Sequence, residues 1–195
     1  MVVIKIGGSL QSTDYIKKWI NAIRLNRSTS FLIIFGGGKY ADNIRYDQKE
    51  KKYDDLKAHK LAIKGMTNFT EDILEELKDF TVVNSIRNIK KNYKSRKLLV
   101  WMPSYEEVCD FNIPNNWDAT SDSIALAISK NINAPLIVIK SVRFNYKKYI
   151  NAFFLKENIL DKYFSNNYYR SSQKISLVSR EKYYKLNEIC KDFSR

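Results

Sequence analysis

Short, nearly continuous apolar runs alternate along this chain with longer stretches in which apolar side chains recur every three or four positions. Runs of the first kind cover residues 2–6, 31–35, 98–102, 136–139 and 175–178. Being apolar at successive positions, they predict strands buried on both faces of a parallel sheet. Between the first two, Tyr15, Ile16, Trp19, Ile20 and Ile23 follow helical spacing. Further helices are expected from about Tyr40, over 56–66, over 73–89, over 121–132 and from Arg180 to about Cys190. The one over 73–89 is expected to open near Thr70, with Glu71 and Asp72 in its first turn. Pro103 stops the third strand and Pro135 opens the fourth. From Arg143 to Asn167, aromatic and basic residues mix without a period, and no element is predicted. Strand and helix in alternation predict an α/β fold, a three-layer αβα sandwich with a mainly parallel open sheet, as one domain over residues 1–195.

The ends of the first two strands carry the chemistry. Gly7-Gly8-Ser9 follows one and Gly36-Gly37-Gly38 the other, so five of the six glycines fall in two strand-to-helix turns. Glycine lets main-chain N–H groups approach a ligand closely, and a helix N-terminus favours anions. Ligands of open α/β sheets bind beyond the carboxyl ends of the strands, and two such turns suit a site holding phosphate at two points. Lys5 stands inside an otherwise apolar strand, where an unpaired charge is costly. It either reaches a phosphoryl group beyond Gly7-Gly8 or faces solvent from an edge strand. A lysine that precedes the glycines matches neither the P-loop nor the dinucleotide fingerprint. Ser9 either contacts phosphate or caps the next helix.

A third cluster, Trp117-Asp118-Ala119-Thr120-Ser121-Asp122-Ser123, opens a helix. Asp118 and Asp122 read either as capping and first-turn carboxylates or as working groups, Asp122 orienting Lys5 and Asp118 meeting an acceptor. Phosphoryl transfer asks for such positioning and charge neutralisation more than for covalent help. Tyr40, Asp42 and Arg45 follow the second glycine turn, where Arg45 suits an anionic group or simply a solvated first turn. His59, the only histidine, reads as a packing residue or as part of the acceptor pocket. Trp101 and Trp117 read as core.

A net charge of +13 attracts polyanions, yet it is spread along the chain. Its densest cluster, Arg87, Lys90, Lys91, Lys94, Arg96 and Lys97, reads as a solvated helix end or as a contact for anions or RNA. No recognised nucleic-acid motif accompanies it, and no nucleic-acid partner is expected. No apolar run approaches the roughly 18–20 residues that span a bilayer, and the first run is short for a signal peptide. The expectation is a cytoplasmic protein without a membrane partner. Cys109 and Cys190 lack metal-ligand spacing and predict no disulfide. No metal site is expected.

IKIGGSL, IIFGGGKYAD and WDATSDSIALAIS, in this order, resemble the amino acid kinase superfamily over residues 1–140. The superfamily includes acetylglutamate, uridylate and isopentenyl phosphate kinases. The resemblance implies an ATP-dependent kinase, with Mg²⁺ entering alongside the nucleotide. It assigns Lys5, Gly7, Gly8 and Ser9 to the nucleotide phosphates, and Gly36, Gly37 and Gly38 to the loop between donor phosphate and acceptor. Asp122 matches the aspartate that organises the catalytic lysines. Asp118, with Asp42, Arg45 and His59, falls on the acceptor side, His59 toward the acceptor's phosphate. GGGKYADNIR, AHKLAI with Met66, IKSV at 139–142 and the segment 158–164 are similar to the small aminomethylfuran phosphate kinase branch. The implied acceptor is a small phosphomonoester, an aminomethylfuran phosphate first. Alternatives are uridylate, isopentenyl phosphate, an amino-acid carboxylate, or a non-catalytic relative that binds nucleotide or a partner. Relatives form symmetric assemblies, so a homo-oligomer is expected. Three departures stand out: Lys162 replaces the branch's proline, Arg143-Phe144 replaces the usual Asp-Gly, and no late Gly-Gly-Met segment brings a second catalytic lysine. Lys140, otherwise placed with the nucleotide, or Lys39 is left to supply that charge.

Overall fold

Six strands pair into one sheet, every neighbour parallel: β1 (Val2–Ile6), β2 (Phe31–Phe35), β3 (Thr81–Val83), β4 (Leu98–Trp101), β5 (Leu136–Lys140) and β6 (Ile175–Ser179). Their order across the sheet is β3-β4-β2-β1-β5-β6. The computed structural model describes residues 1–26, 28–93, 97–143, 159–168 and 170–194. Lys94 and Arg96 of the basic cluster, Phe144, and residues 145–158 of the aromatic and basic stretch lie outside them.

The pleat sorts side chains by parity. Val2, Ile4 and Ile6 join Phe31, Ile33, Ile137 and Ile139 on one face, covered by Ile16, Trp19, Ile20 and Ile23 of α1 (Tyr15–Leu25) and by Leu186 and Ile189 of α8 (Leu186–Phe193). Val3, Leu32, Ile34, Leu136 and Val138 turn to the other. There they meet α3 (Asp55–Asp72) through Ile63 and Met66, and α6 (Ser121–Asn131) through Ile124 and Ile128. The same parity sends Lys5 and Lys140 toward α6. This is the expected three-layer sandwich, with a sheet that is parallel throughout.

Several elements differ from the sequence reading. Residues 73–89 are not one helix. Thr70, Glu71 and Asp72 close α3; a 3₁₀ turn (Leu74–Leu77) follows, then β3, then α4 (Ile86–Asn92). Thr81-Val82-Val83 is a β-branched triplet suited to a pleated edge, and it pairs with β4. Ser85 starts α4 by accepting the Asn88 N–H. Ser104 does the same for an unanticipated α5 (Tyr105–Cys109). Within the stretch given no structure lies α7 (Lys162–Tyr168). Arg180–Lys185 forms a 3₁₀ segment before α8 rather than that helix's first turns. Trp101 is core, as expected, but Trp117 is only half-buried and lies under Arg45, 4.4 Å from the guanidinium. Cys109 is exposed and Cys190 buried, and both are free. Among the described residues no helix is long and apolar enough to cross a membrane.

Candidate functional site

From β1 the sheet grows one way through β2, β4 and β3 and the other way through β5 and β6. Such a reversal of strand order leaves a crevice at the carboxyl ends, the usual place for a ligand. Lys5 sits opposite Val138 in the β1–β5 register, and Lys140 follows two residues later on the same face. The first turn of α6 lowers Asp122 between them. Lys5 Nζ meets Asp122 Oδ1 at 2.7 Å, and Lys140 Nζ donates to Oδ2 at 2.6 Å. Lys5 and Asp122 have side chains 3% exposed, whereas Lys140 is 17% exposed and stands at the crevice. Burial lowers the Lys5 pKa, the Asp122 charge pulls it back up, and the neighbouring Lys140 depresses it again. Burial alone would raise the Asp122 carboxyl; the charges and hydrogen bonds of Lys140 and Lys5 outweigh it and hold the group far below the carboxylate range. Of the two ammonium groups on this carboxylate, Lys140 stands at the crevice, where an anion is its natural complement.

The two glycine turns lie against each other. A Cβ on Gly8 would fall 2.3 Å from the Gly38 nitrogen, and one on Gly36 would fall 2.7 Å from the Gly8 nitrogen. Gly38 has φ +51° and opens α2 (Gly38–Lys51). The N–H groups of Gly7 and Gly36 bond to Ile139 and Ile6 of the sheet, each at 3.0 Å. The glycines that line the adjoining cavity are Gly8, Gly37 and Gly38. The Ser9 hydroxyl donates to Ser141 beyond β5 at 2.9 Å, so it neither caps a helix nor stands idle. Lys39 turns outward to Asp72, 3.6 Å away. Of the two lysines left to supply a second charge, Lys140 is the one at Asp122.

Beside the turns lies a cavity of about 180 Å³. One wall is the α2 face of Gly38, Ala41, Asp42 and Arg45; the facing wall is His59, Ala62, Ile63 and Met66 of α3. Both sets run at i, i+3, i+4, i+7, so each is one stripe of its helix. Ala119, Thr120 and Ser121 close the side toward Asp122, and Trp117 the outer end. His59 is 5% exposed; burial lowers its pKa, only partly offset by the Asn116 main chain, so the ring is neutral at pH 7. Its Nε2 is buried without a hydrogen-bond partner among the described residues. Asp118 is not among the cavity residues: its carboxylate takes the Lys162 ammonium at 2.9 Å, and Thr120, not Asp118, is the N-cap residue of α6.

The sequence reading met Asp161 only as part of the segment 158–164 and gave it no role in the site. Its carboxylate accepts hydrogen bonds from Thr120 and Ser123 at the start of α6 and from the Phe164 N–H of α7. The signal was an aspartate three residues before that amide, the spacing of a helix cap, hidden in a stretch without period.

No protein-family model matches the chain. The [5-(aminomethyl)furan-3-yl]methyl phosphate kinase of Methanocaldococcus jannaschii is 28% identical over 141 residues, covering 71% of this chain and 64% of that protein. The chain thus spans about two thirds of the length of this curated relative. Among solved structures, uridylate kinase from Archaeoglobus fulgidus superimposes with a TM-score of 0.70 at 15% identity, over 98% of this chain and 94% of that one. The chain has the amino acid kinase fold. Aspartokinase III of E. coli, solved with aspartate and ADP, shares this fold at a TM-score of 0.59 and 11% identity, over 93% of this chain and 62% of that one. The Lys5–Asp122–Lys140 cluster is built on the parallel sheet of this fold.

Proposed function

We propose that the chain is an ATP-dependent kinase that transfers the γ-phosphoryl group to a small phosphomonoester. The observation that carries this reading is the pair of ammonium groups, Lys5 and Lys140, held on one buried carboxylate beside two glycine turns. Charge develops on the transferring phosphoryl oxygens, and prepositioned cations in a dry site stabilise it most effectively. Lys140 faces the crevice and meets that charge, while Lys5 fixes Asp122 from below. Gly8, Gly37 and Gly38 bring the backbone close to the phosphates. Ser9 lies on the nucleotide side with Gly7, and Mg²⁺ arrives with ATP. The named kinase relative and a neighbour solved with ADP support the choice of donor.

The acceptor fills the cavity between α2 and α3. At about 180 Å³ it is below the roughly 300–1,000 Å³ of pockets for drug-sized ligands, which favours a compact acceptor. Arg45 serves an anionic group, the apolar stripe of α3 and Trp117 hold the body, and Asp42 stands at the rim. The first acceptor to test is [5-(aminomethyl)furan-3-yl]methyl phosphate, the compound in the relative's name; uridylate and isopentenyl phosphate follow. Incubation with ATP·Mg²⁺ and each acceptor, read by mass spectrometry, is expected to yield one diphosphate product that disappears in Lys140→Ala. ATP binding without any product would replace the kinase by a non-catalytic nucleotide binder.

A further inference from the structure

Beside the lysine pair, one carboxylate ties two helix starts together. Asp161 Oδ2 accepts from the Thr120 N–H and hydroxyl, both at 2.8 Å, and from the Ser123 N–H at 3.0 Å. Oδ1 accepts from the Phe164 N–H at 2.8 Å and from the Ser123 hydroxyl. Three of these partners are N–H groups that can only donate, and the two hydroxyls can donate as well, so an ionised carboxylate is fully served. Thr120 occupies the N-cap position of α6, yet its own side chain makes no capping bond. Asp161 does that work from a distant part of the chain, and Asp122 lies between the two residues it grips. A second stitch runs alongside, from the Tyr163 N–H to the Asp118 carbonyl at 2.8 Å.

We propose that Asp161 is a positioning residue for phosphoryl transfer: by gripping Thr120 and Ser123 it sets where the Asp122 carboxylate stands, and hence where Lys5 and Lys140 are held. The proposal rests on the kinase reading above. A misplacement of about 1 Å in such a site costs on the order of 10²-fold in rate, so an anchor that grips the chain two residues before Asp122 and one after it matters more than a surface cap. Its charge also reaches Lys5, whose ammonium form it favours along with Asp122 and against Lys140. Burial and the Asp122 charge in turn push the Asp161 carboxyl upward, against the pull of its hydrogen bonds. The charged groups of the cluster are thus Lys5, Lys140, Asp122 and Asp161.

The test compares Asp161→Asn with Ser123→Ala. The carboxamide keeps the size but sets an NH₂ donor against donors and removes the charge. Asp161→Asn is expected to lower kcat by roughly 10- to 100-fold with little change in KM for ATP. The alkaline limb of kcat should move to lower pH, because Lys5 loses a supporting charge. Ser123→Ala gives up one hydroxyl bond and keeps the charge, so it should lower Tm without moving that limb. An Asp161→Asn protein with a lower Tm but unchanged kcat and an unchanged limb overturns the proposal. If Asp161→Asn does not fold, Asp161→Ser, which retains one capping oxygen, carries the same comparison. If the wild-type protein transfers phosphate to no acceptor, the kinase reading fails by itself. NMR titration of the lysine side chains then decides separately: a lowered lysine pKa in the Asp161 variant supports the positioning role, and unchanged titration overturns it.

Discussion

Lys5 is an ammonium with 3% of its side chain exposed, and the structure shows what makes that tolerable: Asp122 at 2.7 Å. Truncating it removes a partner of a buried carboxylate and leaves a void in the central strand. Breaking a buried pair costs about 3–5 kcal/mol; since Lys140 still holds the other Asp122 oxygen, Lys5→Ala should lie near the lower figure. Turnover should fall severely in Lys5→Ala and in Lys140→Ala, but only Lys5→Ala should shift the urea midpoint strongly. Unchanged turnover in Lys5→Ala would remove that lysine from the mechanism. His59 gives a prediction of the opposite charge type. Its folded pKa is depressed by burial, so below about 6.5 the unfolded chain takes up protons that the folded one refuses. By linkage, stability is then lost as pH falls through and below that value. Melting temperatures across pH 7 to 5 should decline in the wild-type protein and flatten in His59→Gln.

The two glycine turns behave as one element. Each is read locally as a phosphate cradle, but Gly8 is also held by contact with Gly38, and Gly36 by contact with Gly8. Gly8→Ala forces main chain apart from main chain, and overpacking of this kind costs roughly 1–3 kcal/mol. Lowered Tm together with lost ATP binding is the expected outcome; a variant that binds ATP normally would show that the turns are not the cradle. The parts of this site legible in the sequence are those set by short-range rules. Lys5 inside an apolar strand demanded a counter-charge, and Asp122 in a helix start was at hand. Pleat parity would also have put Lys140 on the Lys5 face. What stayed hidden was set by distance. Thr81-Val82-Val83 looked helical because apolar residues flank it, and only pairing with β4 makes it a strand. Asp161 caps helices that lie apart in the sequence, and Ser9 finds its partner across the sheet at Ser141. Trp117 looked like core until its half-open place under Arg45 was seen.

At the scale of the whole molecule, the site belongs to the middle of the sheet rather than to any segment. Lys5 comes from β1, Asp122 from α6 and Lys140 from β5, and α2 and α3 supply the walls beside them. The alternation of strand and helix predicted this architecture, because crossover helices are what a parallel sheet requires. Strand order was not written in the alternation: that β5 lies against β1, with β2 on its other side, is a long-range choice. That choice governs how the chain reaches its working form. Val3 pairs with Leu136, so the central ladder closes only after most of the polypeptide has been threaded into place. Contacts of such separation are the slow ones in folding, since the entropy of closure precedes their reward. On dilution from denaturant, far-UV circular dichroism should recover first, and turnover should return only with the slowest phase. A chain released from the ribosome would pass through the same interval, helical and compact but catalytically silent, with Lys5 still waiting for its carboxylate.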